Sequence, residues 1–289
     1  MLSFEFRRPP EGHQFFAGPL DDVAPGEDTY SPVQRESRFC APCHFGVFWD
    51  TVVYNSFGEW LESPYSDPLN GKSCQDCHMP PLGNTFFAIP EQGGVKRDPQ
   101  TIFSHYMPGA SDQDLMQDAL SMDVSADRDQ NRVMVTVLLT NDNTGHHIPT
   151  DSPLRQMILL VEARDADGNA LLQTAGPTVP DWGGIGNPAD GFFAGLPGKG
   201  FAKILQELWT EISPSGAYWN PTRVLSDNRL AAFDTDTSDY VFEIPDGSRT
   251  PEITVTVTLL FRRAFKDLMV QKGWEDPDIV MAGHISYLQ

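Results

Sequence analysis

The sequence predicts two regions of different architecture. Residues 1–122 are predicted to be an irregular α+β segment with few short helices, and residues 123–289 an antiparallel, immunoglobulin-like β-sandwich. The first region is rich in aromatic residues and in Pro/Gly turns but has few periodic apolar runs, and the 24 Gly and 24 Pro of the chain favour many turns. The second region carries repeated β-branched, partly alternating runs separated by turn sequences, as the strands of a sandwich do.

The individual elements follow from local patterns. A short helix is predicted over 112–121, with Ser111 as the N-cap residue and apolar side chains on one face. β-branched or alternating runs predict strands at 133–139, 157–163, 240–245 and 253–260. A hairpin turn is predicted at 165–169. Two helices are predicted to interrupt the strands, at 201–212 and 264–272.

Two copies of the pattern C-x-x-C-H contain all four cysteines of the chain. The copies consist of Cys40, Cys43 and His44, and of Cys74, Cys77 and His78. This pattern is the attachment signature of c-type haem, in which both thiols form thioether bonds with the porphyrin and the histidine binds the iron. The sequence therefore predicts a dihaem cytochrome c domain over 1–122, with two haems c.

Zinc is the main alternative, because two C-x-x-C pairs can hold one metal ion with four thiolates. The gap between the pairs, residues 44–73, is 30 residues, longer than the roughly 15–20 of common zinc spacings. A four-thiolate site also gives no reason for a histidine after each pair. A pair of disulfides is the remaining alternative.

The second face of each iron needs a ligand, and five further histidines remain for this role: His13, His105, His146, His147 and His284. His105 lies in an H-x-[FM]-x-G turn, in which the glycine allows close approach to a haem. At most one of the adjacent pair His146 and His147 should bind a given iron, because neighbouring strand side chains face opposite ways. Bis-histidine ligation predicts low potentials; Met107 is the one methionine that could raise them.

The chain carries 20 basic and 40 acidic residues, a net charge of −20. This charge argues against nucleic acid or an anionic membrane surface as a partner and favours a basic or neutral one. An acidic surface that keeps an exported protein soluble explains the charge equally well. No run of about 18 apolar residues is present, so no transmembrane segment is predicted.

Haem of the c type is attached outside the cytoplasm in bacteria, which predicts a periplasmic or extracellular protein. The N-terminus, however, lacks the apolar stretch of a signal peptide. We therefore expect this sequence to be a mature form or to lack an N-terminal piece.

Three stretches carry a family resemblance: residues 38–80 with both motifs and a C-H-M-P ending, residues 145–150 (Gly-His-His-Ile-Pro-Thr), and residues 219–229. Together they resemble multihaem c-type cytochromes related to the hydroxylamine-oxidoreductase and tetrathionate-reductase lineage. The resemblance implies closely stacked haems and His146 as a distal ligand. Relatives usually carry more haems, which implies an incomplete chain or a partner that completes the array.

These observations predict an electron carrier rather than an enzyme, with other redox proteins, haem subunits or further copies of this chain as partners. One alternative is an enzyme of the same lineage that acts on a small nitrogen or sulfur compound; it needs an open iron, and no C-x-x-C-K variant marks one. The other is a haem-bearing subunit of a filament or larger redox complex, in which His13 binds a haem of a neighbouring chain.

Overall fold

The computed structural model describes residues 11, 16–21, 28–245 and 252–289. The described helices, α1 to α5, are short: Ala41–His44, Ser56–Glu62, Cys74–His78, Gln113–Gln117 and Lys266–Lys272. The described strands, β1 to β13, are Phe16–Gly18, Asp28–Tyr30, Gly46–Phe48, Thr51–Tyr54, Ser121–Asp129, Arg132–Thr140, Gln156–Asp165, Leu172–Ala175, Gly198–Glu207, Thr222–Asp227, Thr235–Glu243, Ile253–Arg262 and Ile279–Leu288. No helix in these ranges is long and apolar enough to cross a membrane.

Two antiparallel sheets make up most of the structure. One has the strand order β5-β6-β11-β8 and the other the order β10-β9-β7-β12-β13. Two small sheets precede them, the parallel pair β1–β2 and the hairpin β3–β4. The chain is therefore a mostly antiparallel β-protein with few short helices.

The two large sheets bury their facing side chains in one apolar cluster. Strand β6 shows why: its valines and its leucine at every second position are buried, while the residues between them are not. Strand β12 alternates in the same way, with threonines between its buried aliphatic residues. Because side chains of a strand point alternately to opposite faces, this pattern assigns one face of each strand to the core.

Most sequence-based assignments agree with these elements. The runs at 133–139, 157–163 and 253–260 lie within β6, β7 and β12, the run at 240–245 overlaps β11, and the helix at 264–272 contains α5. The first helix is shorter than predicted, and its N-cap is Asp112, whose Oδ1 accepts a hydrogen bond from the Leu115 N–H at 3.0 Å. Ser111 does not cap it, and the chain has already entered β5 at Ser121.

The helix predicted at 201–212 is wrong, because residues 201–207 lie in strand β9 and residues 208–212 form a turn and irregular structure. Phe201 packs in the core between the sheets, whereas Ala202 and Ile204 pack on the opposite face of the same sheet. A strand buried on both faces has apolar residues without a two-residue period. Its pattern therefore resembled the apolar stripe of a helix.

Side-chain hydrogen bonds attach the region before β5 to the sheets. The Trp49 indole N–H donates to the Trp219 carbonyl at 2.9 Å, and the Thr51 hydroxyl donates to the Thr222 carbonyl at 2.6 Å. Both acceptors lie beside the start of β10. These bonds hold the segment with the C-x-x-C-H motifs against the five-stranded sheet.

Truncation of Leu159 tests the shared core. Its side chain is 0% exposed in β7, so Leu159→Ala should lower the free energy of unfolding by roughly 2–5 kcal/mol. Leu172→Ala is the matched control, because Leu172 lies on β8 and is 70% exposed; its effect should stay within about 0.5 kcal/mol. Urea unfolding of the purified chain measures both, and equal losses would contradict this placement of the core.

Candidate cofactor site

Each C-x-x-C-H motif forms a single short helix that ends at its histidine, α1 at His44 and α3 at His78. In α3 the sequence supplies its own cap: Ser73 Oγ accepts the Asp76 N–H at 3.3 Å, and Asp76 Oδ2 accepts the Ser73 N–H at 2.6 Å. This reciprocal pair satisfies backbone donors that the first turn of a helix leaves free. The local sequence therefore holds both thiols and the imidazole of the motif on one turn.

The two motifs pack against each other. The Cys74 N–H donates to Ser37 Oγ at 3.0 Å, and the buried Gln75 amide donates to the carbonyls of Gln34 and Glu36 at 3.0 and 2.9 Å. The thiols of Cys40 and Cys74 also contact each other; this contact lowers the pKa of Cys74 to about 6 and raises that of Cys40. The first cysteines of the two motifs are thus neighbours.

Two histidine rings face each other across a gap. The centroids of the His78 and His146 rings lie 6.4 Å apart, and the ring planes differ by 17°. Imidazole nitrogen binds a first-row metal ion at about 2 Å, so two rings on opposite sides of one ion have their centres roughly 6 Å apart. The observed separation of 6.4 Å is compatible with that of two axial ligands of one metal ion, and it is too wide for direct ring contact.

Backbone carbonyls set the protonation of both rings. His78 Nδ1 lies 2.7 Å from the Pro108 carbonyl oxygen, and His146 Nδ1 lies 3.0 Å from the His147 carbonyl oxygen. A carbonyl oxygen can only accept, so each Nδ1 must donate and carry the proton. Each Nε2 is then unprotonated in the neutral ring, the form in which imidazole binds a metal. Burial also lowers the pKa of His146, which favours this neutral form.

The loop that carries His146 approaches the motif region closely because of Gly145. A Cβ atom on Gly145 would lie 2.8 Å from the Tyr65 ring and 3.1 Å from the Trp60 ring. The carbonyl of His146 accepts hydrogen bonds from the Asn141 amide at 2.9 Å and from Thr144 Oγ1 at 2.8 Å. A residue larger than glycine at position 145 would therefore collide with these rings. The hydrogen bonds from Asn141 and Thr144 fix the backbone of His146.

His44 has a different partner. Its Nδ1 lies 3.4 Å from Oδ2 of Asp151, in the same loop as His146. The interaction with the Asp151 carboxylate raises the pKa of His44, although burial opposes the shift. Asp151 has a φ of +68°, a backbone conformation that Asp and Asn adopt more readily than most residues. The His44 side chain is 50% exposed.

A buried carboxylate holds this loop in place. Glu59 of α2 is 2% exposed; its Oε1 accepts a hydrogen bond from Arg229 at 2.7 Å, and its Oε2 accepts one from the Thr150 hydroxyl at 2.6 Å and one from the His147 N–H at 3.1 Å. Arg229 in turn forms a bidentate ion pair with Asp227, in which both hydrogen bonds are 2.8 Å long. Burial raises the pKa of Glu59, but Arg229 and Thr150 outweigh it and keep the pKa below its usual value.

The structure brings only some of the predicted ligands together. His146 lies opposite His78, whereas His147 faces Glu59, with its Nδ1 3.7 Å from Oε1. The His105 side chain is exposed, and its turn supplies the Pro108 carbonyl instead of an imidazole to His78. His13 lies outside the described residues. No imidazole in the described ranges is seen to face His44.

The cysteines are not gathered as a zinc site requires. In the described parts of the chain, which include all four cysteines, no three or more His, Cys, Asp or Glu side chains form a group that could hold a metal ion. A haem needs no such group, because the thiols bind the porphyrin and the protein supplies only one or two axial ligands to the iron. The arrangement of His78, His146 and the α3 thiols fits a haem better than zinc.

Comparisons with known proteins are informative at the level of the fold. No protein-family model matches the sequence, and neither does any curated protein. Among solved structures, a penta-haem cytochrome c552 from Thermochromatium tepidum aligns with 93% of this chain at a TM-score of 0.63 and 17% identity. The chain spans 60% of the length of that cytochrome. The two proteins therefore share a fold over nearly all of the present sequence.

A second solved structure is much less similar. ACE19, the collagen-binding subdomain of the Enterococcus faecalis surface protein ACE, aligns with 59% of this chain and 94% of its own length at 9% identity. The TM-score is 0.20, which is too low to indicate a common fold.

Sequence reasoning missed Glu59 and Asp151. Glu59 lies in a short helix with no charge pattern that would mark a buried residue, and its partner Arg229 is 170 residues away. Asp151 directly follows the stretch 145–150 that carries the family resemblance, which was the available signal. Contacts this distant in sequence are visible only once the fold is known.

Loss of the Glu59 charge tests the buried network. Glu59→Gln should lower the free energy of unfolding by about 1–3 kcal/mol, because a buried guanidinium loses part of its compensation. Glu62→Gln is the matched control on the same helix, at an exposed position, and should change stability by less than about 0.5 kcal/mol. Urea unfolding of the three proteins measures the difference, and indistinguishable midpoints for the two variants would refute the structural role of Glu59.

Proposed function

We propose that this protein is an exported multihaem c-type cytochrome that transfers electrons between redox partners through two covalently bound haems c. The single observation that carries the proposal is the pair of parallel imidazoles, His78 and His146, at the separation of two axial ligands. Its agreement with the attachment motif that ends at His78 is independent support, because the motif is read from the sequence alone.

The residues have separate tasks in this proposal. Cys74 and Cys77 would tether the second haem, and His78 and His146 would bind its iron. Cys40 and Cys43 would tether the first haem, and His44 would bind its iron. When bound, haem iron supplies reversible one-electron chemistry, with a potential set by its axial ligands and their hydrogen bonds.

The contact between the motifs supports electron transfer within the chain. Cys40 and Cys74 touch, and Ser37 Oγ accepts a hydrogen bond from the N–H of Cys74, the first residue of α3. The attachment points of the two cofactors are therefore adjacent. Bis-histidine ligation of the second iron supports a low potential and leaves no position there for a substrate, which favours a carrier over an enzyme.

For the second ligand of the first iron we propose three candidates: His105, His13, or a histidine of another chain. The half-exposed side chain of His44 supports one further candidate function. If this iron keeps an open face, the protein would act on a small nitrogen or sulfur compound, as an enzyme of the hydroxylamine-oxidoreductase and tetrathionate-reductase lineage. If a histidine of a neighbouring chain binds this face of the iron instead, the protein would be a haem-bearing subunit of a filament or larger redox complex.

The β-region supports a docking or covering role for the haems. Its four-stranded and five-stranded sheets have the strand numbers of a variable-type immunoglobulin sandwich, which supports an immunoglobulin-like architecture. We propose this finer fold for residues 123–289 and the haem-binding role for residues 1–122. The fold shared with a penta-haem cytochrome is consistent with both.

Partners and location follow from the same proposal. Covalent haem attachment outside the cytoplasm makes the periplasm or the extracellular space the expected location. Other redox proteins or haem subunits, including further copies of this chain, are the expected partners. The net charge of −20 favours those with a basic surface.

Removal of the His146 imidazole tests the ligand assignment. The purified protein should carry the added mass of two haems, and His146→Ala should convert one of them from low spin to a high-spin form that binds CO. His284→Ala is the matched control, since His284 lies on β13 and contacts Ser286 instead; its spectrum should equal that of the wild type. An unmodified mass would refute the haem proposal, and a low-spin His146→Ala protein would refute the ligand assignment alone.

A further inference from the structure

The two motif histidines differ in the group that accepts their Nδ1 proton. His78 donates to the carbonyl of Pro108, and His146, opposite it, donates to the carbonyl of His147. Both acceptors are neutral. His44 instead faces the carboxylate of Asp151 at 3.4 Å. At the His78 site, therefore, the Nδ1 atoms of both imidazoles face neutral carbonyl groups. At the His44 site, the Nδ1 atom faces a negatively charged carboxylate.

We propose that Asp151 acts as a positioning residue that lowers the reduction potential of the haem at His44. This inference rests on the proposed function, because it requires a haem on each motif.

The physical reason lies in the charge behind the ring. A carboxylate that accepts the Nδ1 proton makes the imidazole a stronger electron donor, whereas a carbonyl does so less. A stronger donor stabilises the more positive, oxidised iron and so lowers the potential. The remaining negative charge of Asp151 acts in the same direction, since the residue is only partly exposed and is poorly screened by water.

Asp151 is held in position for this task. Its backbone lies at a φ of +68°, and the hydroxyl of Ser56 lies 3.4 Å from its Oδ1. The same hydroxyl is 3.0 Å from Oγ1 of Thr150, which Glu59 binds from the other side. A rotation of the carboxylate away from His44 would therefore break its contact with the Ser56 hydroxyl.

A lower potential at His44 favours electron transfer from the haem at His44 to the haem at His78. With both haems bound, one electron would pass from the iron held by His44, which would be oxidised, to the iron held by His78, which would be reduced, and no bond would form or break. The electron would then reside on the haem at His78 and His146, and the His146 ring is more buried than the His44 ring. Donor and acceptor proteins would consequently meet different ends of the site.

The chain offers a matched control for removing this charge. Asp50 also has a positive φ, +64°, and is exposed on the β3–β4 turn. Asp151→Asn and Asp50→Asn thus make the same chemical change at the same backbone conformation, and asparagine tolerates that conformation. Asp151→Gly is a second variant, because glycine adopts positive φ without strain.

The experiment is a spectroelectrochemical titration of the haem-loaded full chain. His146→Ala assigns the two waves, since it alters the haem at His78. Asp151→Asn and Asp151→Gly should raise the potential of the other haem so that its oxidised-to-reduced ratio at a fixed potential falls about tenfold, which corresponds to about 59 mV for one electron. The wave of the His78 haem should move much less.

The outcomes separate the inference from the proposed function. Asp50→Asn measures the general effect of one lost surface charge and should shift both waves slightly and equally. An Asp151→Asn shift no larger than this, or equal in both waves, would overturn the inference while leaving the cytochrome in place. A protein without haem absorption would instead refute the proposed function.

Discussion

The candidate site depends on one buried ion pair, between Glu59 of α2 and Arg229 after β10. Glu59 comes from the segment between the two C-x-x-C-H motifs, whereas Arg229 belongs to the β-region. A charge taken out of water is costly unless it is paired and hydrogen-bonded. Glu59 meets this condition through Arg229, Thr150 and the His147 N–H. The pair therefore forces the motif segment and the loop after β6 into one arrangement.

The loop after β6 provides a neighbour for each motif histidine, and the two neighbours are five positions apart in the sequence. His146 points at His78, and Asp151 points at His44. Because Glu59 binds the intervening backbone and Thr150, the two contacts cannot be adjusted independently. A shift of His146 would therefore be transmitted to Asp151 through the four residues between them. The geometry thus couples the environments of two sites whose thiols are already in contact.

Sequence reasoning recovered what is local and missed what is distant. The C-x-x-C-H motifs and the alternating strands β6 and β12 depend on neighbouring residues only, so their patterns were readable. His146 and His147 were both candidates from their context, and the proposal of His146 as the ligand rests on the backbone carbonyl and Glu59 contacts seen in the structure. Strand β9 failed because burial on both faces removes the period on which the prediction relied. Glu59 and Arg229 carry no local signal at all.

The region around the motifs has little apolar core of its own. Among the described residues from 28 to 110, the buried apolar side chains are Ala41, Val53 and Ile102, while Trp49, Phe87 and Tyr106 are exposed. Burial of apolar surface is the main force that stabilises a fold, and so few buried side chains supply little of it. A porphyrin has a large apolar surface, and two of them tethered at α1 and α3 would cover the aromatic residues around them. In the proposed cytochrome the polar contacts would select the arrangement and the cofactors would stabilise it. The β-region has an apolar core of its own and provides the frame to which the motif segment is attached.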